Sequence, residues 1–227
     1  MTTSIILPTY NERDALPKLI ERIAAVGLTD WEAIVVDDRS PDGTAEVAAE
    51  LAQRFPVRVI VRSGKQGLAS AVVRGFEEAR GQFLVAMDAD HSHDPAILPA
   101  LVARLAQGAD VVVGSRFAPG GGIVGWPAWR QWMSRVATWL ATALFRVHVR
   151  DPMSGYFALQ RPFFTNVAPR LNPMGYKILL ELLVRGRPGR VEEVGFQFQD
   201  RRYGKSKISV AVVTAYLRMI IDLLIRR

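Results

Sequence analysis

The first 116 residues alternate between short apolar runs and longer segments in which apolar residues recur every three or four positions. The short runs predict β-strands. The longer segments, such as the one that contains Leu16, Leu19 and Ile23, predict four α-helices. Strands that alternate with helices are typical of a doubly wound, parallel sheet with right-handed crossovers. The five predicted strands are residues 2–7, 31–36, 57–61, 83–87 and 110–113.

The second half of the chain opens with a glycine-rich stretch at 118–122, which predicts a flexible hinge or lid. A helix is predicted over 126–145, where Trp129, Trp132 and Trp139 lie on one stripe. Two interpretations of this stripe stay open. Either it faces the protein core, or it inserts into a membrane interface, where indole rings are favoured.

Three further elements are predicted towards the C-terminus: an apolar helix at 178–184, an alternating strand at 191–198 and a helix at 208–225. The last helix is apolar on most sides, so it is a core helix, an interfacial helix or a docking helix for a partner in the membrane. No uncharged apolar run reaches the ~18–20 residues that a spanning helix needs. We therefore expect no transmembrane segment and, from the N-terminal sequence, no signal peptide.

The charge of the chain is unevenly distributed. Residues 1–100 carry 10 Lys and Arg against 15 Asp and Glu, a net −5, whereas residues 101–227 carry 19 against 7, a net +12. A basic half favours anionic partners such as a phosphorylated substrate or an anionic lipid. No nucleic-acid-binding motif accompanies it, so we expect no nucleic-acid partner. The absence of cysteine excludes disulfides and thiolate metal sites.

Acidic residues follow three of the predicted strands: Glu12 the first, Asp37 and Asp38 the second, Asp88 and Asp90 the fourth. The carboxyl ends of parallel strands share one edge, where open α/β sheets bind ligands, so we expect these acids to cluster. In extended backbone, residues two apart point the same way, so Asp88 and Asp90 are candidate Mg²⁺ or Mn²⁺ ligands. An isolated Asp-x-Asp is also compatible with an ordinary polar loop. The glycine pattern of NAD-binding folds is absent.

Seven short motifs recur along the chain in a recognisable order and spacing. They are PTYNE at 8–12, VDD at 36–38, DAD at 88–90, GSR at 114–116, DP-x-SG at 151–155, GYK at 175–177 and R-x-x-G-x-SK at 201–207. Together they resemble the dolichyl-phosphate (polyprenyl-phosphate) mannose synthases, glycosyltransferases of family 2 with a GT-A fold. The resemblance covers essentially the whole chain.

The resemblance implies a metal-dependent, inverting transfer of mannose from GDP-mannose to a dolichyl or polyprenyl phosphate. It implies one GT-A domain over residues 1–227, with a Rossmann-like nucleotide-sugar half at 1–116. The basic half at 117–227 would bind the acceptor and the membrane interface and end in amphipathic helices. The implied nucleotide-binding residues are Pro8, Tyr10, Glu12, Val36, Asp38, Asp88 and Ala89.

The remaining implied residues concern the phosphates and the metal. Asp90 would be the main metal ligand, beside Asp88, and Asp90, Arg116 and Arg201 would be catalytic. The residues implied to bind donor or acceptor phosphates are Arg116, Arg130, Ser134, Arg201 and Lys207. The acceptor is a phosphate oxygen that is already ionised at pH 7, because the second phosphate pKa is about 6, so no general base is needed.

The chain departs from the family pattern at two positions. Ser92 stands where some members have Gln, which makes direct metal ligation there doubtful, and Lys205 stands where many have Glu. We expect a peripheral protein on the cytoplasmic side of a membrane, with a small membrane-anchoring subunit as a further partner that the resemblance allows. Two alternatives stay open: transfer from another donor such as UDP-glucose, and a non-catalytic membrane-associated subunit.

Overall fold

The computed structural model describes residues 2–173, 175, 177–200 and 210–225. Within these residues, seven strands form one sheet in the order β3-β2-β1-β4-β7-β5-β8, and β6 pairs with β9 in a second sheet. The strands are β1 Thr3–Thr9, β2 Trp31–Asp37, β3 Val57–Val61, β4 Phe83–Ala86, β5 Val111–Ser115, β6 Gly122–Val124, β7 Phe157–Gln160, β8 Val191–Gly195 and β9 Gln197–Gln199.

Helices connect these strands and cover the sheet. Short 3₁₀ turns precede α4 at Pro95–Ile97 and follow α6 at Ala168–Arg170. The helices are α1 Leu16–Ala25, α2 Thr44–Leu51, α3 Leu68–Glu78, α4 Leu98–Ala106, α5 Ala128–Phe145, α6 Arg161–Val167, α7 Ile178–Gly186 and α8 Val210–Ile225.

The strands are apolar throughout because both faces of the sheet are buried. Ile5 and Leu7 of β1 pack with α1, α2 and α4 on one face, whereas Ile6 packs with α3, α6 and α7 on the other. Successive strand residues point to opposite faces, so a run without polar alternation is what a doubly covered sheet requires. The predicted doubly wound, mostly parallel architecture is confirmed.

One strand was missed by the sequence analysis. β7 lies between β4 and β5 and is antiparallel to both, whereas β1, β2, β3 and β4 pair in parallel. β7 therefore adds one antiparallel strand to a central sheet that is otherwise parallel. Residues 157–160 are only four residues long and directly follow a turn, so the apolar run was too short to stand out.

The segment predicted as one strand over 191–198 is two strands in different sheets. The chain turns at Phe196, which is buried in the core, and β9 then pairs with β6. The glycine-rich stretch predicted as a hinge forms a turn, in which Gly121 N–H donates to the Ala118 carbonyl, and then becomes β6. A Cβ at Gly195 would lie 2.2 Å from the Pro119 carbonyl oxygen, so the two segments pack backbone against backbone.

The tryptophan stripe of α5 points away from the core. Trp129, Trp132 and Trp139 are 56%, 67% and 65% exposed, so the core-facing interpretation of this stripe was wrong. The opposite side of α5 contributes Ala141 and Phe145 to a small apolar cluster with α7 and α8. Among the described residues, no helix combines the length and the apolar composition required to cross a membrane.

The last helix has two different sides. Met219, Ile220 and Leu223 are buried against α5 and α7, which confirms the core interpretation for that side. Ile221, Leu224 and Ile225 are exposed. The Asp222 carboxylate pairs with Arg185 of α7 at 2.6 Å, which fixes α8 on this cluster.

A buried carboxylate ties β2 to its neighbours. Glu32 accepts the Ser4 hydroxyl at 2.6 Å, the Arg80 N–H at 2.7 Å and the Arg58 guanidinium at 2.9 Å. Burial alone would raise the pKa of Glu32, but these hydrogen bonds outweigh it and lower the pKa below 4.5. The carboxylate therefore stabilises the fold in its ionised form.

We expect Glu32→Ala to lower the free energy of unfolding by roughly 2–4 kcal/mol at pH 7, because three donors lose a shared buried acceptor. Urea unfolding measures this, with Glu50→Ala on the exposed side of α2 as a near-neutral control. Because the folded-state pKa is lowered, the difference between parent and variant should shrink as the pH falls through it. Equal losses in both variants would contradict the assignment.

Candidate active site

The acidic cluster predicted from the sequence lies at the carboxyl ends of three neighbouring strands. β1 pairs in parallel with β2 on one side, with Thr9 opposite Asp37, and with β4 on the other, with Ile6 opposite Ala86. Met87 N–H extends this ladder to the Ile6 carbonyl. The segments that begin at Tyr10, Asp38 and Asp88 therefore leave the sheet side by side.

The Asp88–Asp90 segment is held rigidly. Asp90 is 1% exposed, and its Oδ1 accepts the Ser92 N–H at 3.0 Å. The Asp88 N–H donates to Nδ1 of His93 at 2.9 Å, and the buried His93 ring stacks on Tyr156 with centroids 5.0 Å apart. Burial lowers the pKa of His93, which favours the neutral ring that this acceptor role requires. The sequence analysis gave His93 no role.

These residues fit a divalent cation. Two carboxylates one residue apart supply hard oxygen donors, and Asp88 keeps 23% of its side chain exposed. Space beside it depends on Gly155, where a Cβ would lie 3.5 Å from Asp88 Oδ2. Among the described residues, no group of three or more His, Asp or Glu side chains forms a metal site. Oxygen ligands from a bound substrate would complete a shell that Asp88 and Asp90 begin.

Two residues predicted to bind the nucleoside, Asp38 and Val36, are occupied by contacts within the protein. Asp38 is buried, pairs with Arg62, and its Oδ2 accepts the backbone N–H groups of Gln66 and Gly67 at 3.1 and 3.2 Å. Val36 is fully buried in the sheet. In this conformation Asp38 orders the 62–67 loop, and Val36 has only its backbone to offer a ligand.

The other predicted residues of this pocket are more open. Tyr10 is 39% exposed, with the Lys65 ammonium 4.0 Å from its ring centroid. Pro8 and Glu12 are half-buried, and the Glu12 N–H donates to the Thr44 hydroxyl at 3.0 Å. Tyr10 thus offers an aromatic surface beside a cation at the entrance to the edge of the sheet.

Arg116 is held by a carboxylate that the sequence analysis had not assigned. The fully buried Asp151 accepts the Arg116 backbone N–H at 3.0 Å, Nε at 2.7 Å and Nη2 at 2.8 Å. This is the forked geometry in which Arg binds a carboxylate best. Nη1 makes no hydrogen bond among the described residues. Arg116 is therefore fixed in place with one edge still able to donate.

The predicted phosphate-binding residues differ in how far the structure describes them. Arg130 stacks on Trp126 at 3.9 Å from the ring centroid and pairs with Asp200 at 3.4 Å. Ser134 is half-buried one turn further along α5. The predictions for Arg201 and Lys207 lie outside the described residues.

Lys177 is a cation that the sequence motifs included without a role. Its Nζ donates to the Met153 carbonyl at 3.0 Å, and its side chain is half-buried. Burial and, after it, the nearby Arg116 charge lower the pKa of Lys177 to about 8, against the opposing effect of Asp151 and Asp88. The site therefore holds a cation whose charge is poorly compensated.

Known proteins with similar sequences and structures show which family this chain belongs to. A model of glycosyl transferase family 2 matches residues 4–167. Curated relatives at 37–44% identity are named dolichol-phosphate mannosyltransferase. The one from Pyrococcus furiosus is 44% identical over 99% of this chain and 64% of its own length, and the one from Saccharomyces cerevisiae is 42% identical over 97% and 86%. The chain thus spans about two thirds of the length of the Pyrococcus relative.

Solved structures agree on the fold. Glucosyl-3-phosphoglycerate synthase from Mycobacterium tuberculosis, solved with Mn²⁺, UDP-glucose and phosphoglyceric acid, superposes with a TM-score of 0.70 at 24% identity. The match covers 99% of this chain and 78% of that one. At this identity the likeness concerns the fold alone, and it confirms the GT-A prediction.

The fold and the family match together define a GT-A glycosyltransferase, and the chain belongs to glycosyl transferase family 2. Within that family, its similarity over nearly the whole chain is to proteins named dolichol-phosphate mannosyltransferase. The resemblance inferred from the seven motifs is therefore confirmed.

We expect Lys177→Met to remove a pH dependence of stability that the parent protein shows. The unfolded chain holds the lysine proton up to a pKa near 10.5, whereas the folded protein releases it at about 8, so the parent gains stability as the pH rises between these values. Urea unfolding at pH 7, 8.5 and 10 should show a parent gain of roughly 1–3 kcal/mol relative to the variant. Parallel pH profiles would contradict the assignment.

Proposed function

We propose that this protein transfers mannose from GDP-mannose to a dolichyl or other polyprenyl phosphate, with Mg²⁺ or Mn²⁺ as cofactor and inversion at the anomeric carbon. The observation that carries the proposal is the Asp88–Asp90 pair at the carboxyl edge of the sheet. Support comes from relatives named for dolichol-phosphate mannosyl transfer at 37–44% identity. In this proposal residues 1–116 bind the donor and residues 117–227 bind the acceptor.

The proposed reaction requires no general base from the protein. The attacking phosphate oxygen is ionised at neutral pH, since the second phosphate pKa is about 6. The protein's task is to bring two anionic substrates together and to stabilise the negative charge that develops on the leaving diphosphate. A divalent cation held by Asp88 and Asp90 would supply Lewis-acid stabilisation to that diphosphate.

The cations of the site have distinct tasks in this proposal. Arg116, fixed by Asp151, presents Nη1 to a substrate phosphate. Lys177 provides a second charge at the same side, which an anionic substrate compensates. Arg201 and Lys207 supply further phosphate contacts, and Arg130 with Ser134 binds the acceptor phosphate. Pro8, Tyr10, Glu12, Val36, Asp38 and Ala89 form the nucleoside pocket.

Contact with the membrane follows from the acceptor, which is a lipid. The exposed tryptophans of α5 and the exposed side of α8 are the surfaces proposed to lie in the interface on the cytoplasmic side. The proposal also includes a small membrane-anchoring subunit, which would bind these surfaces.

The proposal predicts that Asp90→Asn loses at least about 100-fold in sugar transfer, the scale typical of removing one preorganised electrostatic contact. Asp14→Asn, an exposed surface substitution of the same type, should leave transfer unchanged. The assay measures radiolabelled sugar on polyprenyl phosphate with Mg²⁺, with Mn²⁺ and with a chelator. Undiminished transfer by the Asp90 variant would refute the metal role.

The same assay decides the donor. GDP-mannose, UDP-glucose and other nucleotide sugars are compared with dolichyl and undecaprenyl phosphates as acceptors. Preference for UDP-glucose would replace the mannose proposal by the alternative donor. No transfer from any nucleotide sugar would support a non-catalytic subunit.

A second expectation concerns the tryptophan stripe. Trp129→Ser with Trp132→Ser should weaken partitioning into neutral phosphatidylcholine vesicles by about tenfold or more, because two large apolar side chains no longer leave water. Val61→Ser, at an equally exposed apolar position on β3, is the matched control and should partition like the parent. Vesicle flotation provides the measurement. Equal partitioning of all three proteins would show that α5 does not contact the membrane.

A further inference from the structure

A large cavity lies between helix α5 and the segment that follows β5. Its volume is about 630 Å³. Gln131, Arg135 and Thr138 line it from one face of α5, and Arg116 and Arg150 line it from the other side. Arg135 and Arg150 are exposed, so the cavity is open to solvent where they lie.

The cavity is positively charged. Three of the residues that line it are arginines, and no lining residue is Asp or Glu. The charge of Arg116 is offset by Asp151, but Arg135 and Arg150 form no ion pair among the described residues. The nearby Glu193 carboxylate accepts the backbone N–H groups of Arg150 and Asp151. Counted against both nearby carboxylates, the three arginines leave one positive charge in excess at the cavity, which favours an anion.

The polar groups of the cavity suit phosphate oxygens. Each guanidinium presents a planar fork of N–H donors, the geometry that binds phosphate. The Thr138 hydroxyl is buried and has no hydrogen-bond partner among the described residues. A buried hydroxyl without a partner is unfavourable, and a bound anion would accept a hydrogen bond from it.

This face of α5 is distinct from the one implied for the acceptor phosphate. Gln131, Arg135 and Thr138 lie about a quarter of a turn around the helix from Arg130 and Ser134. Arg130 is already engaged by Asp200 and Trp126, whereas Arg135 is not engaged by any carboxylate that the structure describes.

The position of the cavity indicates that its anion belongs to a lipid. Trp139, whose side chain is 65% exposed, lines the cavity and continues the stripe formed by Trp129 and Trp132. An amphipathic helix with exposed tryptophans lies in the membrane interface at the depth of phosphate head groups. The cationic cavity therefore opens beside the surface proposed to enter the bilayer.

We infer that this cavity binds the phosphate head group of a lipid, held by Arg135, Arg150 and the Thr138 hydroxyl. The inference rests on the proposed membrane association of α5. The lipid is an anionic phospholipid of the bilayer, because the acceptor phosphate is proposed to bind on the other face of α5, at Arg130 and Ser134.

The test compares Arg135→Gln/Arg150→Gln with Arg146→Gln, which removes one exposed arginine just after α5 and outside the cavity. Arg146→Gln combined with Arg54→Gln, an exposed arginine after α2, matches the double change in charge. Binding is measured by flotation with phosphatidylcholine vesicles that carry a small fraction of polyprenyl phosphate, or of phosphatidylglycerol. The low fraction keeps the surface potential, and with it non-specific attraction, small.

The cavity variant should lose about tenfold or more in affinity for the vesicles that carry phosphatidylglycerol, because hydrogen bonds to charged groups are among the strongest available. The charge-matched control should stay within about twofold of the parent. Loss with phosphatidylglycerol supports a bilayer lipid as the occupant, whereas loss confined to polyprenyl phosphate would place the acceptor in the cavity and overturn the inference. Equal binding by the cavity variant and the control in both series would overturn the inference.

The binding experiment distinguishes failure of this inference from failure of the proposed function. Vesicle binding needs no donor and no turnover, so a protein without transferase activity can still show the specific loss. Conversely, active transfer with no effect of the cavity substitutions on binding would leave the proposed function intact and remove the inference.

Discussion

The buried contact between Arg116 and Asp151 joins the two parts of the chain on which the site depends. Asp151 receives three N–H donors from Arg116, and its own backbone N–H donates to Glu193 on β8. Ser154 extends the connection, since its hydroxyl donates to the Gly114 carbonyl at 2.6 Å. Removing one partner of such a buried pair typically costs about 3–5 kcal/mol, so the 150–156 loop keeps its shape only while both are present.

The 150–156 loop also packs against the candidate active site. It brings Gly155 against Asp88 and places Tyr156 under His93, which in turn receives the Asp88 N–H. The carboxylates that follow β4 are therefore positioned by residues more than sixty positions away in sequence. It also presents the Met153 carbonyl to Lys177, so one loop orients both the anionic and the cationic groups of the site.

The features predicted from sequence were those that depend on local pattern. Apolar runs located β1 to β5, and the rule that parallel strands end at one edge placed Asp38 and Asp88 at the same edge of the sheet, on either side of β1. The motifs then identified the family. Such features can be recognised in the sequence because each depends on a few consecutive residues.

The missed features depend on contacts between distant segments. β7 is four residues long and exists because β4 and β5 flank it. The engagement of Asp38 by Arg62, and of Arg116 by Asp151, required knowing which opposite charge folds beside each residue. The direction of the tryptophan stripe was ambiguous for the same reason, since periodicity defines a face of a helix but not what that face meets.

The charge asymmetry of the chain acquires a spatial meaning in the folded protein. Two carboxylates of the acidic half, Asp88 and Asp90, lie at the sheet edge, where a divalent cation compensates them in the proposed reaction. The excess cations of the basic half include Arg135 and Arg150 at the cavity beside α5 and Lys177 near the carboxylates. Donor and lipid acceptor are both anions, so their mutual repulsion opposes the encounter. In the proposed reaction, cations along the acceptor's path to the site offset that repulsion. A metal that the carboxylates hold at the donor's diphosphate offsets it further.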